Sequence, residues 1–197
     1  MNNASQFRLG NVADTCSIWN LLASRVLHSA ARSASVSFCC TQFVRYECLH
    51  KPGQARPERI QLQERLKMEI QAQSIKCCDI ELEDLQDVVV LERRKKLSKG
   101  ELSSMIFAKK TAQAFMTDDI KAGKLAGHIM PTNQIQSTPH LISWLYFSGR
   151  LQDSDKDKIV AELQQLGRNL QPHIDKAYME ALRCRLMAET APHASKT

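Results

Sequence analysis

No apolar run in this 197-residue chain approaches the roughly 20 residues that a membrane-crossing helix needs. The first ten residues hold no apolar core of the kind a secretory signal carries. From these two gaps we expect a soluble, cytoplasmic protein. There is no Cys-x-x-Cys among the seven cysteines, so neither a zinc ribbon nor a redox motif is supported. The cysteines are odd in number, and two pairs are adjacent, Cys39-Cys40 and Cys77-Cys78. Most are expected as buried thiols acting as small hydrophobes. There is no glycine-rich phosphate loop, because Gly100 and Gly123 stand alone. No Asp-x-Asp follows the first expected strand, where Asp14 is followed by Thr15-Cys16, and this argues against a phosphatase-like hydrolase. The six histidines are scattered, so no Ser/His/Asp arrangement can be assembled. His28 and His140 are expected as surface or core residues. Aromatics are few, and neither internal repeats nor low-complexity tracts occur.

What is present is ordinary for a globular protein, 43% hydrophobic and 24% charged. The length suits one domain with a sizeable core, alone or with a helical tail. We place the domain at 1–167 and a C-terminal helix with a flexible tail at 168–197. The formal net charge is +6, and the basic residues cluster: Arg93-Arg94-Lys95-Lys96 with Lys99, then Lys109-Lys110, then Lys121 and Lys124. A basic surface around an acidic pocket suits a polyanion, since phosphate contacts dominate nucleic-acid affinity.

Strand-like and helix-like segments alternate along the chain. Phe7 to Ala13 reads as a first strand ending at Asp14. A helix capped at Thr15-Cys16-Ser17 follows, with Ile18, Leu21, Leu22, Val26 and Leu27 as its apolar face. Ser37 to Cys40 is a second strand, and Thr41 caps a helix carrying Phe43, Val44 and Glu47. Lys51-Pro52-Gly53 ends that helix. An exposed helix is expected over 56–73, a third strand over 75–80 and an amphipathic helix over 82–97. A helix starting at Ser98 has Leu102, Met105, Ile106 and Ala108 as its stripe. Ala114-Phe115-Met116 is a short buried strand that runs through Thr117-Asp118-Asp119 into a helix, with Asp as N-cap. A fifth short strand is expected over 133–137, and from Pro139 the pattern is helical through 187. Such alternation implies an α/β domain, with a parallel sheet of four or five strands covered by helices on both faces.

Asp14 and the Asp118-Asp119 pair end the two clearest strands, and Glu47 and Glu101 lie in helices beside those ends. Each has a simple reading as a helix cap, a first-turn acid or a solvated residue. In an open α/β sheet, however, ligands bind outside the strand carboxyl ends. Carboxylates gathered there repel one another unless protons or cations neutralise them. Oxygen-only ligation suits Mg²⁺ or Mn²⁺, which in pairs assist phosphodiester cleavage.

These residues carry a family resemblance. Ala13-Asp14-Thr15-Cys16-Ser17-Ile18-Trp19 resembles the first motif of PIN-domain proteins, and Thr41 with Glu47 resembles the second. Gly100-Glu101-Leu102-Ser103-Ser104 and Thr117-Asp118-Asp119-Ile120-Lys121-Ala122 resemble the third and fourth. The Gly-Glu and Asp-Asp forms are similar to an uncharacterised PIN-like branch of bacteria and archaea, as is the tail from Pro139 with Gly149-Arg150-Leu151. The likeness covers roughly 12–166. It implies a PIN-like three-layer domain and a metal-dependent nuclease, usually of RNA and often the toxin of a toxin–antitoxin pair. By the same resemblance Asp14, Glu47, Glu101 and Asp119 would hold Mg²⁺ or Mn²⁺ and carry catalysis, with Asp118 as the alternate acid. Thr15, Lys121, Lys124, Arg93 and Arg94 would meet the nucleic acid. Two features depart from the pattern: the insert over 56–73 is long, and Glu101 stands where many active members have Asp. The competing expectation is a PIN-like RNA- or protein-binding module without turnover. Leu141, Ile142, Leu145 and Phe147, with Ile159, Leu163 and Leu166, either close the domain's own core or form a homodimer or antitoxin contact.

Overall fold

In three strands of this protein, two consecutive buried residues pack on opposite faces of one sheet. Val12, Cys39 and Phe115 face one core, and their successors Ala13, Cys40 and Met116 face another. That is the period-two geometry of a strand buried on both sides. The computed structural model describes residues 3–81, 83–86, 89 and 97–190. The strands are β1 (Gly10–Ala13), β2 (Ser37–Thr41), β3 (Ile75–Cys78), β4 (Ala114–Met116) and β5 (Ile135–Gln136). They form a five-stranded, all-parallel sheet in the order β3-β2-β1-β4-β5. The helices are α1 (Thr15–Ala23), α2 (Arg25–Ser33), α3 (Gln42–Leu49), α4 (Pro57–Gln71), α5 (Lys99–Lys110), α6 (Ile120–Ala126), α7 (Thr138–Phe147), α8 (Asp155–Gln165) and α9 (Gln171–Thr190).

Helices cover both faces, as the α/β reading expects. Leu102, Met105 and Ala108 of α5, with Ala122 and Ala126 of α6, pack against Val12 and Phe115. Residues of α1 to α4 and of α7 to α9 pack on the other face. Leu141, Ile142, Leu145, Ile159, Leu163 and Leu166 are all buried in that second core. Their apolar faces are thus spent within the chain. Ile174, Ala177 and Ala181 of α9 join the same core, and Tyr178 meets Tyr146 edge-on with ring centroids 5.0 Å apart. Among the described residues, no helix is long and apolar enough to cross a membrane.

The first helix differs from the expected one. Instead of a single helix through Val26 and Leu27, the chain breaks at Ser24, whose extended backbone (φ −110°, ψ 118°) ends α1. Its hydroxyl accepts from Leu27 N as the N-cap of α2 and donates to Glu162 Oε2 at 2.6 Å. A cap bond and a bond to α8 together favour the break over helix continuation. Strand bounds are shorter than expected at β1, β3 and β5. The helix expected over 82–97 lies largely outside the described residues.

Candidate active site at the carboxyl edge of the sheet

From β1 the chain winds outward to β2 and β3, then returns to β1's other side for β4 and β5. The order therefore reverses between β1 and β4, the point where open α/β sheets form a crevice. Ala13 and Met116, the last residues of those strands, are register partners. Asp14 and Thr117 follow them directly. Asp14 N donates to Met116 O at 3.0 Å. The Thr117 hydroxyl donates to Asp14 Oδ2 at 2.5 Å, and Ser17 N donates to Asp14 Oδ1 at 2.8 Å. Asp14 is therefore the N-cap of α1 and a tie between two strands. Its side chain is wholly buried. Burial pushes its carboxyl up to about 7, against the two bonds that favour the charged form, and the charge of Asp118 adds to the rise.

The two neighbouring aspartates turn different ways. Asp119 N donates to Thr117 Oγ1 at 3.1 Å, and Asp119 Oδ1 accepts from Lys121 N at 2.7 Å and Ala122 N at 2.8 Å as the N-cap of α6. Asp118 reaches toward α7 and α1. It accepts from Thr138 N at 2.8 Å, from the Thr138 hydroxyl at 2.5 Å and from Asn20 Nδ2 at 2.7 Å. Asn20 in turn accepts from Arg168 Nε at 2.6 Å, and Arg168 also donates to Cys16 Sγ at 3.2 Å.

The two glutamates meet across α3 and α5. Glu47 accepts from the Thr15 hydroxyl at 2.7 Å, Gly100 N at 3.0 Å and the Ser98 hydroxyl at 3.3 Å. Ser98 and Glu101 form a capping box, with Ser98 N donating to Glu101 Oε2 at 2.7 Å and Glu101 N to Ser98 Oγ at 3.2 Å. Burial raises the Glu101 carboxyl, and the charges of Asp119 and Glu47 raise it further. The last two effects show that three of the five acids share one field. Gly100 is needed for the close approach: a Cβ there would lie 2.5 Å from Glu47 Oε2 and 2.9 Å from its Cδ. Gly100→Ala should displace the Glu47 carboxylate. Its helix-propensity gain offsets the lost bonds, so stability should change by less than about 1 kcal/mol. Thermal melting by circular dichroism close to wild type would bear this out, and a fall of more than about 5 °C would show that the bonds of Glu47 hold the fold together.

Every described acid expected at the site lies along this edge. Thr15, expected to meet nucleic acid, has its hydroxyl committed to Glu47. Lys121 and Lys124 are exposed on α6; Arg93 and Arg94 lie outside the described residues. Two hollows flank the acids. One of about 430 Å³ is lined by Asp118, Asp119, Gly123, Pro139 and His173. The other, of about 660 Å³, is lined by Tyr46, Glu47, Lys51, Ser98 and Lys99. Sequence reading missed Asn20, Thr138 and Arg168. Asn20 did leave a signal, a polar residue on the apolar face of α1 between Ile18 and Leu21, now 1% exposed.

A hard divalent cation suits this donor set, which is entirely carboxylate. Among the described residues, no three His, Cys, Asp or Glu side chains form a group able to hold a metal ion by themselves. Glu101 Oε1 and Asp119 Oδ2 accept no hydrogen bond among the described residues. One or two carboxylates plus substrate phosphates and water is the ordinary binding mode of Mg²⁺. No protein-family profile, curated protein or solved structure matches the chain, so the chemistry of this edge rests on its own residues.

Proposed function

We propose that this edge hydrolyses phosphodiester bonds of single-stranded RNA with Mg²⁺ or Mn²⁺, as the resemblance to PIN-domain nucleases implies. The observation that carries the reading is the placement of Asp14, Asp118 and Asp119 directly beyond β1 and β4 at the switch point, with Glu101 within the influence of both Asp119 and Glu47. The all-parallel, helix-covered sheet is consistent with a PIN-like three-layer fold. Glu101 and Asp119, each with a carboxylate oxygen that accepts no hydrogen bond among the described residues, would hold the metal, and Glu47 would support them. The ion, when bound, supplies an acidified water and charge neutralisation at phosphorus. Asp14 and Thr117 fix the spacing of β1 and β4, while Asp118 anchors α7 through Thr138. The exposed Tyr46 ring beside Lys51 and Lys99 offers a base-stacking surface with cationic flanks, a combination suited to single strands. Lys121 and Lys124 would meet backbone phosphates beyond Asp119.

The test is a labelled single-stranded RNA incubated with the protein and Mg²⁺ or Mn²⁺. The expected products carry a 5′-phosphate and a 3′-hydroxyl. RNA that is bound but never cut with either metal would replace this reading with a docking module. Lys124→Ala should weaken RNA binding and reduce the slope of log affinity against log salt by about one. An unchanged slope would take Lys124 off the RNA path.

A further inference from the structure

The sheet brings together a set of nucleophilic side chains that the acidic edge does not use. Cys39-Cys40 and Cys77-Cys78 lie on the parallel neighbours β2 and β3, where Cys40 stands opposite Cys77. Both belong to the core packed by α1 to α4, whereas Cys39 and Cys78 pack on the opposite face. Neighbouring strands run about 4.8 Å apart. Directly opposed residues there fall within the roughly 4.4–6.8 Å of Cα separation that a disulfide spans.

The two thiols differ in character. Cys40 is fully buried, while Cys77 is partly exposed. The neighbouring Cys40 thiol and, with it, the charge of Arg45 on α3 hold the Cys77 thiol below its ordinary range. The neighbouring Cys77 sulfur, together with burial, pushes the Cys40 thiol up. Burial also pushes up Cys16, Cys39, Cys48 and Cys78. One thiol with a cationic neighbour, backed by a buried partner, is the arrangement of a reactive and a resolving cysteine.

We infer that Cys40 and Cys77 are a reversible redox-modification site, at which Cys77 reacts with a peroxide and Cys40 closes an inter-strand disulfide. The Cys77 thiolate sulfur attacks one peroxide oxygen, and the O–O bond breaks. Cys77 becomes a sulfenic acid, and the departing hydroxide takes up a proton to leave as water. The Cys40 sulfur then attacks the Cys77 sulfur, forming the S–S bond as the S–O bond breaks. The second hydroxide leaves as water with the proton of Cys40. Two thiols lose two electrons, and one peroxide becomes two waters. A small dithiol reverses the bond by exchange. None of this depends on the nuclease reading.

The experiment treats the full chain with hydrogen peroxide, blocks free thiols and maps tryptic peptides by mass spectrometry. The peptides 33–45 and 77–93 each hold two cysteines. The measurement is therefore made on wild type with fragmentation between the adjacent cysteines, and again on a Cys39→Ser, Cys78→Ser double variant. We expect a Cys40–Cys77 cross-link in both, lost on adding dithiothreitol and absent from Cys77→Ser. In Cys40→Ala the sulfenic acid of Cys77 should persist and be trapped by dimedone. Before oxidation, iodoacetamide should alkylate Cys77 on the order of tenfold faster than Cys78. Wild-type protein in which peroxide leaves Cys40 and Cys77 unlinked would overturn the inference, as would equal alkylation of Cys77 and Cys78.

Discussion

Asp119→Asn and Glu101→Gln should each reduce RNA cleavage on the order of a hundredfold or more, with melting temperatures close to wild type. Both substitutions keep the local architecture. Asn is as good an N-cap as Asp, so α6 retains its bonds from Lys121 N and Ala122 N. Gln at the third helical position still completes the capping box with Ser98. What is lost is one negative charge and one carboxylate oxygen that accepts no hydrogen bond among the described residues. The proposed chemistry asks for those two features, and the fold does not. Removing the Asp119 charge should also relieve Glu101, whose carboxyl the aspartate raises. Folding is checked by circular dichroism and cleavage by gel, with both metals. A variant that cuts as fast as wild type would show that the site lies elsewhere or that the activity is a contaminant. A variant that loses cleavage only by unfolding would reduce the acids to helix caps.

The five strands and the acids beyond them were legible because the relevant signals are local. Val12-Ala13, Cys39-Cys40 and Phe115-Met116 are apolar pairs followed within three residues by the caps Asp14, Thr41 and Asp119, and the chemistry of a cap is written in its own residue. Helix ends were harder to read. Three turns into strands pass through left-handed residues that are not glycine: Ser35 (φ 60°) before β2, Gln73 (φ 55°) before β3 and Ala112 (φ 53°) before β4. The usual glycine signal is missing there, at a cost of roughly 1–2 kcal/mol for each residue so held. The partners of Asp118 were beyond reach for a different reason. Asn20 and Thr138 come to it from α1 and α7, Arg168 reaches Asn20 from the turn after Gly167, and only the packing of helices onto one face of the sheet joins them. The opposition of Cys40 and Cys77 likewise depends on β2 and β3 being neighbours in register, which spacing along the chain does not encode.

Wild-type stability should fall as pH rises from about 4 to about 7, and Asp14→Asn should remove much of that slope. An aspartate in the unfolded chain titrates near 3.9, while burial holds the folded Asp14 carboxyl at about 7. Between those values the folded protein keeps a proton that the unfolded chain has released. The unfolded state then binds fewer protons, so stability declines as pH rises. The contribution is fully present below the unfolded value, is lost through the window and is flat above the folded value. Between pH 5 and pH 8 the wild type should lose roughly 3 kcal/mol that Asp14→Asn retains. The substitution preserves the cap, because an amide oxygen can still accept from Ser17 N. The Thr117 hydroxyl can rotate to accept from the amide nitrogen, having one lone pair beyond that used by Asp119 N. Because burial outweighs the charge of Asp118 as a cause, Asp118→Asn should recover only a small part of the slope, at the expense of the Thr138 anchor. Urea unfolding of wild type and Asp14→Asn at the two pH values isolates the effect, since every other titrating group is common to both. A difference between them that does not change with pH would mean that Asp14 stays charged in the fold, held so by Ser17 and Thr117 against its burial.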